Sequence, residues 1–127
     1  MSGISVTKDI RKKLLENPNI TKELDNKIFP IIADDGTTFP FVLIKKNGIS
    51  VNYSKCGIAN DVVTVTIEVV DPNYSKAIKI AEEIRKTIER KKFENVANCI
   101  LTNVTEEYIS DTYIVAMYMA ITTQENN

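Results

Sequence analysis

The chain has 127 residues, 43% hydrophobic and 26% charged, which suits one folded domain with its own core and excludes wholesale disorder. Sixteen Lys and Arg against seventeen Asp and Glu leave a net charge of −1, without the basic excess that binding to a phosphate backbone draws on. There is no His, which removes the commonest general base, the commonest metal ligand and every Ser-His or Cys-His nucleophile arrangement.

The first residues, Met1 to Val6, lack the basic-then-apolar pattern of a signal peptide. Residues 6–17 are expected to form a first helix. Thr7 is its expected N-cap, Ile10, Leu14 and Leu15 are its apolar stripe, and Asn17-Pro18 is its stop. Residues 20–24 suggest a short further turn of helix. Residues 28–32 read as a short strand, Asp34-Asp35-Gly36 as a turn, and residues 39–46 as a strand with Pro40 near its start. Residues 47–60, with Gly48, Gly57 and several Asn and Ser, are expected to be a long loop. Within it Ile49, Val51 and Tyr53 alternate with Ser50 and Asn52, a pattern suited to an extended arm that pairs with a partner edge.

Residues 61–70 are the clearest strand: Val63, Val65, Ile67 and Val69 share one face, Thr64, Thr66 and Glu68 the other. Asp71-Pro72-Asn73 ends it and begins the best helix, residues 74–91. Its apolar face is Ala77, Ile80, Ala81, Ile84 and Ile88, and Glu82 and Lys86 form an expected i, i+4 pair. Strands are expected at 96–105 and 112–123, joined by a connection at 106–111, with a frayed tail at 124–127. The longest apolar run, 114–121, falls far short of the roughly twenty residues that cross a membrane. The order α-β-β-(long loop)-β-α-β-β predicts an α+β domain spanning 1–127. It has a mostly antiparallel or mixed sheet packed by two amphipathic helices.

Chemistry is sparse. The acid pairs Asp34-Asp35, Glu82-Glu83 and Glu106-Glu107 are chain neighbours that do not converge on one site. The four glycines are scattered and make no phosphate loop. Cys99 lies in a strand pattern and reads as a core residue. Cys56, beside Lys55, is the one candidate for a reactive thiol, without a His to activate it. Tyr108, Tyr113 and Tyr118 lie in a region with no basic residue, so they read as core or interface side chains rather than base-stacking ones. Residues 76–92 hold seven basic and three acidic residues, whereas 105–127 hold four acidic and no basic ones. This asymmetry suggests contacts between copies, with Lys86 or Arg90 of one meeting Glu106 or Glu107 of the next. Head-to-tail contacts of that kind build rings.

In order and spacing, several motifs resemble the small tail completion (tail terminator, head–tail joining) proteins of long-tailed bacteriophages and prophages. They are Leu14-Leu15-Glu16-Asn17-Pro18, Ile28-Phe29-Pro30, Phe39-Pro40-Phe41-Val42-Leu43, the strand Val63 to Val69, Tyr74-Ser75-Lys76-Ala77, and Ile80-Ala81-Glu82-Glu83-Ile84-Arg85. The likeness spans residues 9–123. It implies a non-enzymatic protein without cofactor or metal, acting as a ring, usually hexameric, in the finished particle. Its implied partners are its own copies, the tail-tube protein and the head-connector protein. No membrane is implied, and DNA enters only as cargo through the lumen. The implied location is the host cytoplasm during assembly, then the head-proximal end of the virion tail. On this reading Ile49, Val51, Tyr53, Lys55, Lys86, Arg90, Glu106 and Glu107 are the candidate assembly residues. Two other readings are a small regulatory module with a sheet–helix cleft and a cysteine-dependent enzyme using Cys56.

Overall fold

The computed structural model describes residues 2–53 and 59–124. A 3-10 turn, Gly3–Ser5, leads into α1, Val6–Leu15, and then α2, Pro18–Leu24. A short strand β1, Ile28–Pro30, precedes the hairpin of β2, Phe41–Tyr53, and β3, Ala59–Asp71. Helix α3, Tyr74–Ile88, crosses back, and a second hairpin follows, β4, Val96–Ile109, and β5, Thr112–Thr123. The strands form one sheet in the order β1-β2-β3-β5-β4. Among the described residues only the β1–β2 pair is parallel. The fold is α+β, with a mixed, mainly antiparallel sheet.

The period-2 and period-3.6 patterns determine the core. Val63, Val65, Ile67 and Val69 of β3 are fully buried, as are Met119 and Ile121 on β5. Against them lie Ile10 and Leu14 of α1, Ile20 and Leu24 of α2, and Ile80, Ile84 and Ile88 of α3. Each such side chain contributes about 1.5–3 kcal/mol relative to exposure. Both expected helix faces are therefore buried on one face of the sheet.

Several boundaries differ from the sequence reading. Helix α1 begins one residue before Thr7, and its N-cap, Ser5, makes no side-chain capping bond. The chain breaks at Asn17 because Asn17 caps a separate helix: its Oδ1 accepts from Asn19 N at 2.9 Å, and Pro18 takes the first turn. Strand β1 stops at Pro30 because Ile31 turns to φ 65°, outside any strand conformation. Helix α3 ends at Ile88. Glu89 leaves the helical region, and Arg90, at φ 59°, instead donates its N–H to the Cys99 carbonyl at 2.7 Å. The ion pair within α3 and its cap is Arg85–Glu89 at 2.8 Å, rather than Glu82–Lys86.

The largest correction concerns 47–60, expected as a loop. Residues 47–53 continue β2, and 59–60 begin β3. The ladder runs from Phe41↔Val70 to Tyr53↔Ala59 with one irregularity between Lys46 and Gly48. At that irregularity Asn47 Nδ2 donates to Thr66 Oγ1 at 2.6 Å, so a polar residue fills the bulge where apolar alternation is lost. Likewise β4 continues to Ile109, and the connection expected at 106–111 shrinks to Ser110 and Asp111, both with positive φ, as a two-residue hairpin turn demands. The expected tail at 124–127 is described only at Gln124, whose N–H donates to the Asn95 carbonyl at 2.8 Å.

Candidate assembly surface

The two hairpins point in opposite directions. Val62 pairs with Thr122, and Asp71 pairs with Tyr113, so the β2–β3 tip lies at one end of the sheet and the β4–β5 tip at the other. Ile49, Val51 and Tyr53 lie at the first end. Ile49 is opposite Val63, so all three share the helix-side face of the sheet. Yet their exposure rises along the strand, 36%, 44% and 83%, as the hairpin runs past the helices. The root of this arm is anchored. Gly3 N–H donates to the buried Asp61 carboxylate at 2.7 Å, and Asp61 N–H donates to Thr123 Oγ1 at 2.9 Å. Lys46 Nζ bonds the Ile4 carbonyl. Lys45 pairs with Glu68 at 2.6 Å on the opposite face. Lys55, like Cys56, lies outside the described residues.

Tyrosines organise the other end. Tyr113 meets Tyr74 edge-to-face at 5.1 Å and packs at a tilt on Tyr108 at 4.7 Å, joining the first turn of α3 to the β4–β5 arm. The Tyr74 hydroxyl donates to Glu106 Oε2 at 2.5 Å. That bond holds the phenol proton and raises the Tyr74 pKa, as do partial burial and the Glu106 charge. Sequence reading missed Tyr74 because its partner is 32 residues away. Tyr108 is 59% exposed, and Tyr118 is half-buried on the face without helices.

Glu106 and Glu107 are not one patch. Glu106 is opposite the buried Val115, on the helix side, whereas Glu107 is opposite Ile114 and faces away. Lys86, in the last turn of α3, and Arg90, just past its end, are exposed, about 18 Å from Tyr74 for Lys86 by helical rise. Within one copy, therefore, the basic and acidic groups are separated along the long axis, and the structure does not bring them together. Between α3 and β4 runs an apolar furrow of about 140 Å³. Ile78, Ala81, Leu101 and Val104 line it, with Glu82 and Arg85 at its rim.

The Cys99 thiol is buried, and burial pushes its pKa up to about 12, with Glu89 adding to the effect. It stays protonated and unreactive at neutral pH. Asp9 is the one carboxyl raised among the described residues, by burial first and by Glu94 second. It sits beside the Lys12–Glu94 ion pair of 3.0 Å, with no nucleophile bonded to it. Among the described residues no cluster of metal-ligand side chains is present. No helix of the described residues is long and apolar enough to cross a membrane.

Compared with known proteins, residues 8–122 match the family described as tail completion protein gp17. No curated protein matches the chain in sequence. Among solved structures, a chain from the virion of a native gene transfer agent particle superposes with a TM-score of 0.81 over 95% of both chains at 9% identity. At that identity the likeness is one of fold.

Proposed function

Because the chain belongs to the tail completion protein gp17 family, and is thus a structural component of a phage tail, we propose that it caps the tail tube and joins it to the head connector. In this reading the whole chain acts as one tail-completion unit without catalysis, in a ring of copies, six by analogy with such rings. The ring assembles in the host cytoplasm and remains at the head-proximal end of the virion tail. Its partners are its own copies, the tail-tube protein and the head-connector protein. It contacts no membrane, and DNA crosses its lumen only in transit.

The observation that carries this reading is the family match over 8–122. Two features of the chain support it. The hairpins overrun the helical layer at opposite ends of the sheet, giving one molecule two different ends, as a joint between two assemblies requires. Lys86 and Arg90 also lie at one end of α3, while Glu106, bonded to Tyr74, lies at the other. Opposed charges at opposite ends favour head-to-tail contacts over face-to-face ones.

The test is electron microscopy of tails made with and without the protein. Its absence is expected to give tails of uncontrolled length, or tails that fail to join heads. Tails of normal length joined to heads in its absence would overturn the assignment. The free protein is expected to remain monomeric or weakly associated in sedimentation, because a ring that closed before meeting its tube would cap nothing.

A further inference from the structure

Among the described residues both edges of the sheet are open for half their length. Strand β1 covers β2 at Val42, Leu43 and Ile44, and among the described residues no strand lies on the outer side of 45–53. Strand β4 is the other edge. Its first half is covered: Arg90 N–H bonds the Cys99 carbonyl, and Leu101 N–H bonds Glu89 Oε2 at 3.3 Å. Along 103–109 no bond to the outer edge is seen among the described residues. Long bare edges are templates for further pairing, and single folded chains usually blunt them with Pro, charge or covering loops. Neither segment contains Pro, and the charges they carry, Lys45 and Lys46 on one and Glu106 and Glu107 on the other, are of opposite sign, so they disfavour like edges and favour unlike ones.

We propose that neighbouring copies pair edge to edge, with the outer part of β2 (45–53) of one copy lying antiparallel along the outer part of β4 (103–109) of the next. This rests on the ring reading above and names its subunit contact.

Three features on these segments select a second copy as the occupant. The first is direction. β2, β3, β5 and β4 alternate, so β2 and β4 of one copy run oppositely. A copy related by rotation, with its helices on the same side, then meets the first in antiparallel fashion. The second is charge. Residues 45–53 carry Lys45 and Lys46 and no acid, whereas 103–109 carry Glu106 and Glu107 and no base. Two β4 edges repel and a β2–β4 pair attracts, which makes the contact heterologous. The third is side-chain pattern. Ile49, Val51 and Tyr53 lie on the helix-side face, as do Val104 and Tyr108, opposite Met117 and Tyr113. With Ile49 brought opposite Glu106, antiparallel pairing sets Val51 beside Val104 on that face.

The stagger is compatible with closure. Ile49 and Cys99 share a row through Val63 and Ile121, whereas Glu106 shares a row with Val69 and Val42. Bringing the middle of one segment to the middle of the other slides copies by the Val63–Val69 separation, about 20 Å. The repeat is four strands, about 19 Å across. The resulting inclination is about 45°, at the upper end of the strand tilts that close a sheet into a barrel.

The experiment is amide hydrogen exchange on the free protein and on protein bound to tail tubes, with the bound species imaged by electron microscopy. Alternate amides in 45–53 and 103–109, those whose N–H points outward, are expected to slow at least tenfold on binding. Amides already bonded to β3 or β5 should change less. A ring in the images with unchanged exchange in both segments overturns edge pairing and leaves the ring reading intact. The absence of any ring overturns the reading on which the pairing rests. A reciprocal charge test accompanies it: reversing Glu106 and Glu107 to Lys should impair assembly, and K45E with K46E in the same chain should restore it. Restoration by K86E with R90E instead would overturn the proposed contact.

Discussion

The Tyr74 hydroxyl and the Glu106 carboxylate, 2.5 Å apart, tie the start of α3 to the β4–β5 arm. Tyr113 packs on Tyr74, so the arm is held by an aromatic contact and a charge-assisted bond together. Tyr74 should therefore titrate above the ordinary 10.0. The sign follows from the shift: a phenol whose folded pKa is raised contributes stability below the unfolded value and loses it as pH rises through the folded one. Ultraviolet titration checks this. Y74F should remove the raised phenol titration, and E106Q should return it toward 10.0.

Asn17 joins two helices. Its Oδ1 caps α2, and its Nδ2 donates to Glu83 Oε1 at 3.1 Å and to Thr87 Oγ1 at 2.8 Å on α3. The bond from Asn17, then that from Asn19, holds the Glu83 carboxyl below its ordinary range. N17A should lower stability to urea by about 1–2 kcal/mol through loss of the cap. N17D keeps a capping oxygen but sets a carboxylate against Glu83, and its deficit should shrink as pH falls and the carboxyls protonate.

A methyl group at Gly3 would lie 2.6 Å from Val63 Cγ2 and 3.0 Å from Asp61 Cβ. Val63 is fully buried and unable to swing aside. G3A should therefore displace the first turn and cost about 1–3 kcal/mol in chemical denaturation, as overpacking does. Exchange at 59–63 should quicken in the same variant, because the Gly3–Asp61 bond at the root of the arm is strained or lost.

In a C56S background, Cys99 should resist a thiol reagent at pH 8 until the chain unfolds, since its pKa is pushed up to about 12 by burial. The raised value means that the neutral thiol is favoured in the folded state. Its contribution is complete below the ordinary value of 9.0 and is lost progressively above it. C99S should be less stable than C99A, because it buries a hydroxyl among apolar neighbours. Rapid labelling of the native protein would contradict this packing.

The sequence by itself determined the class and the core. The alternation Val63 to Val69 and the stripe Ala77, Ile80, Ala81, Ile84 and Ile88 are local periodicities, and each is buried as read. The charge split and the apolar alternation Ile49, Val51 and Tyr53 were equally legible. What only the tertiary structure decided is the conformation of the arms. Residues 47–53 and 106–109 contain Asn, Gly and paired Glu, and the side chains of 47–51, Tyr53 and 106–109 are largely exposed, so no core enforces an apolar alternation on them. They are strands because β3 and β5 supply ladder bonds, a nonlocal cause that composition does not register. Tertiary pairing likewise separated Glu106 from Glu107, since consecutive residues on a strand point to opposite faces. It also brought Tyr74 to Glu106 by folding α3 back over the sheet.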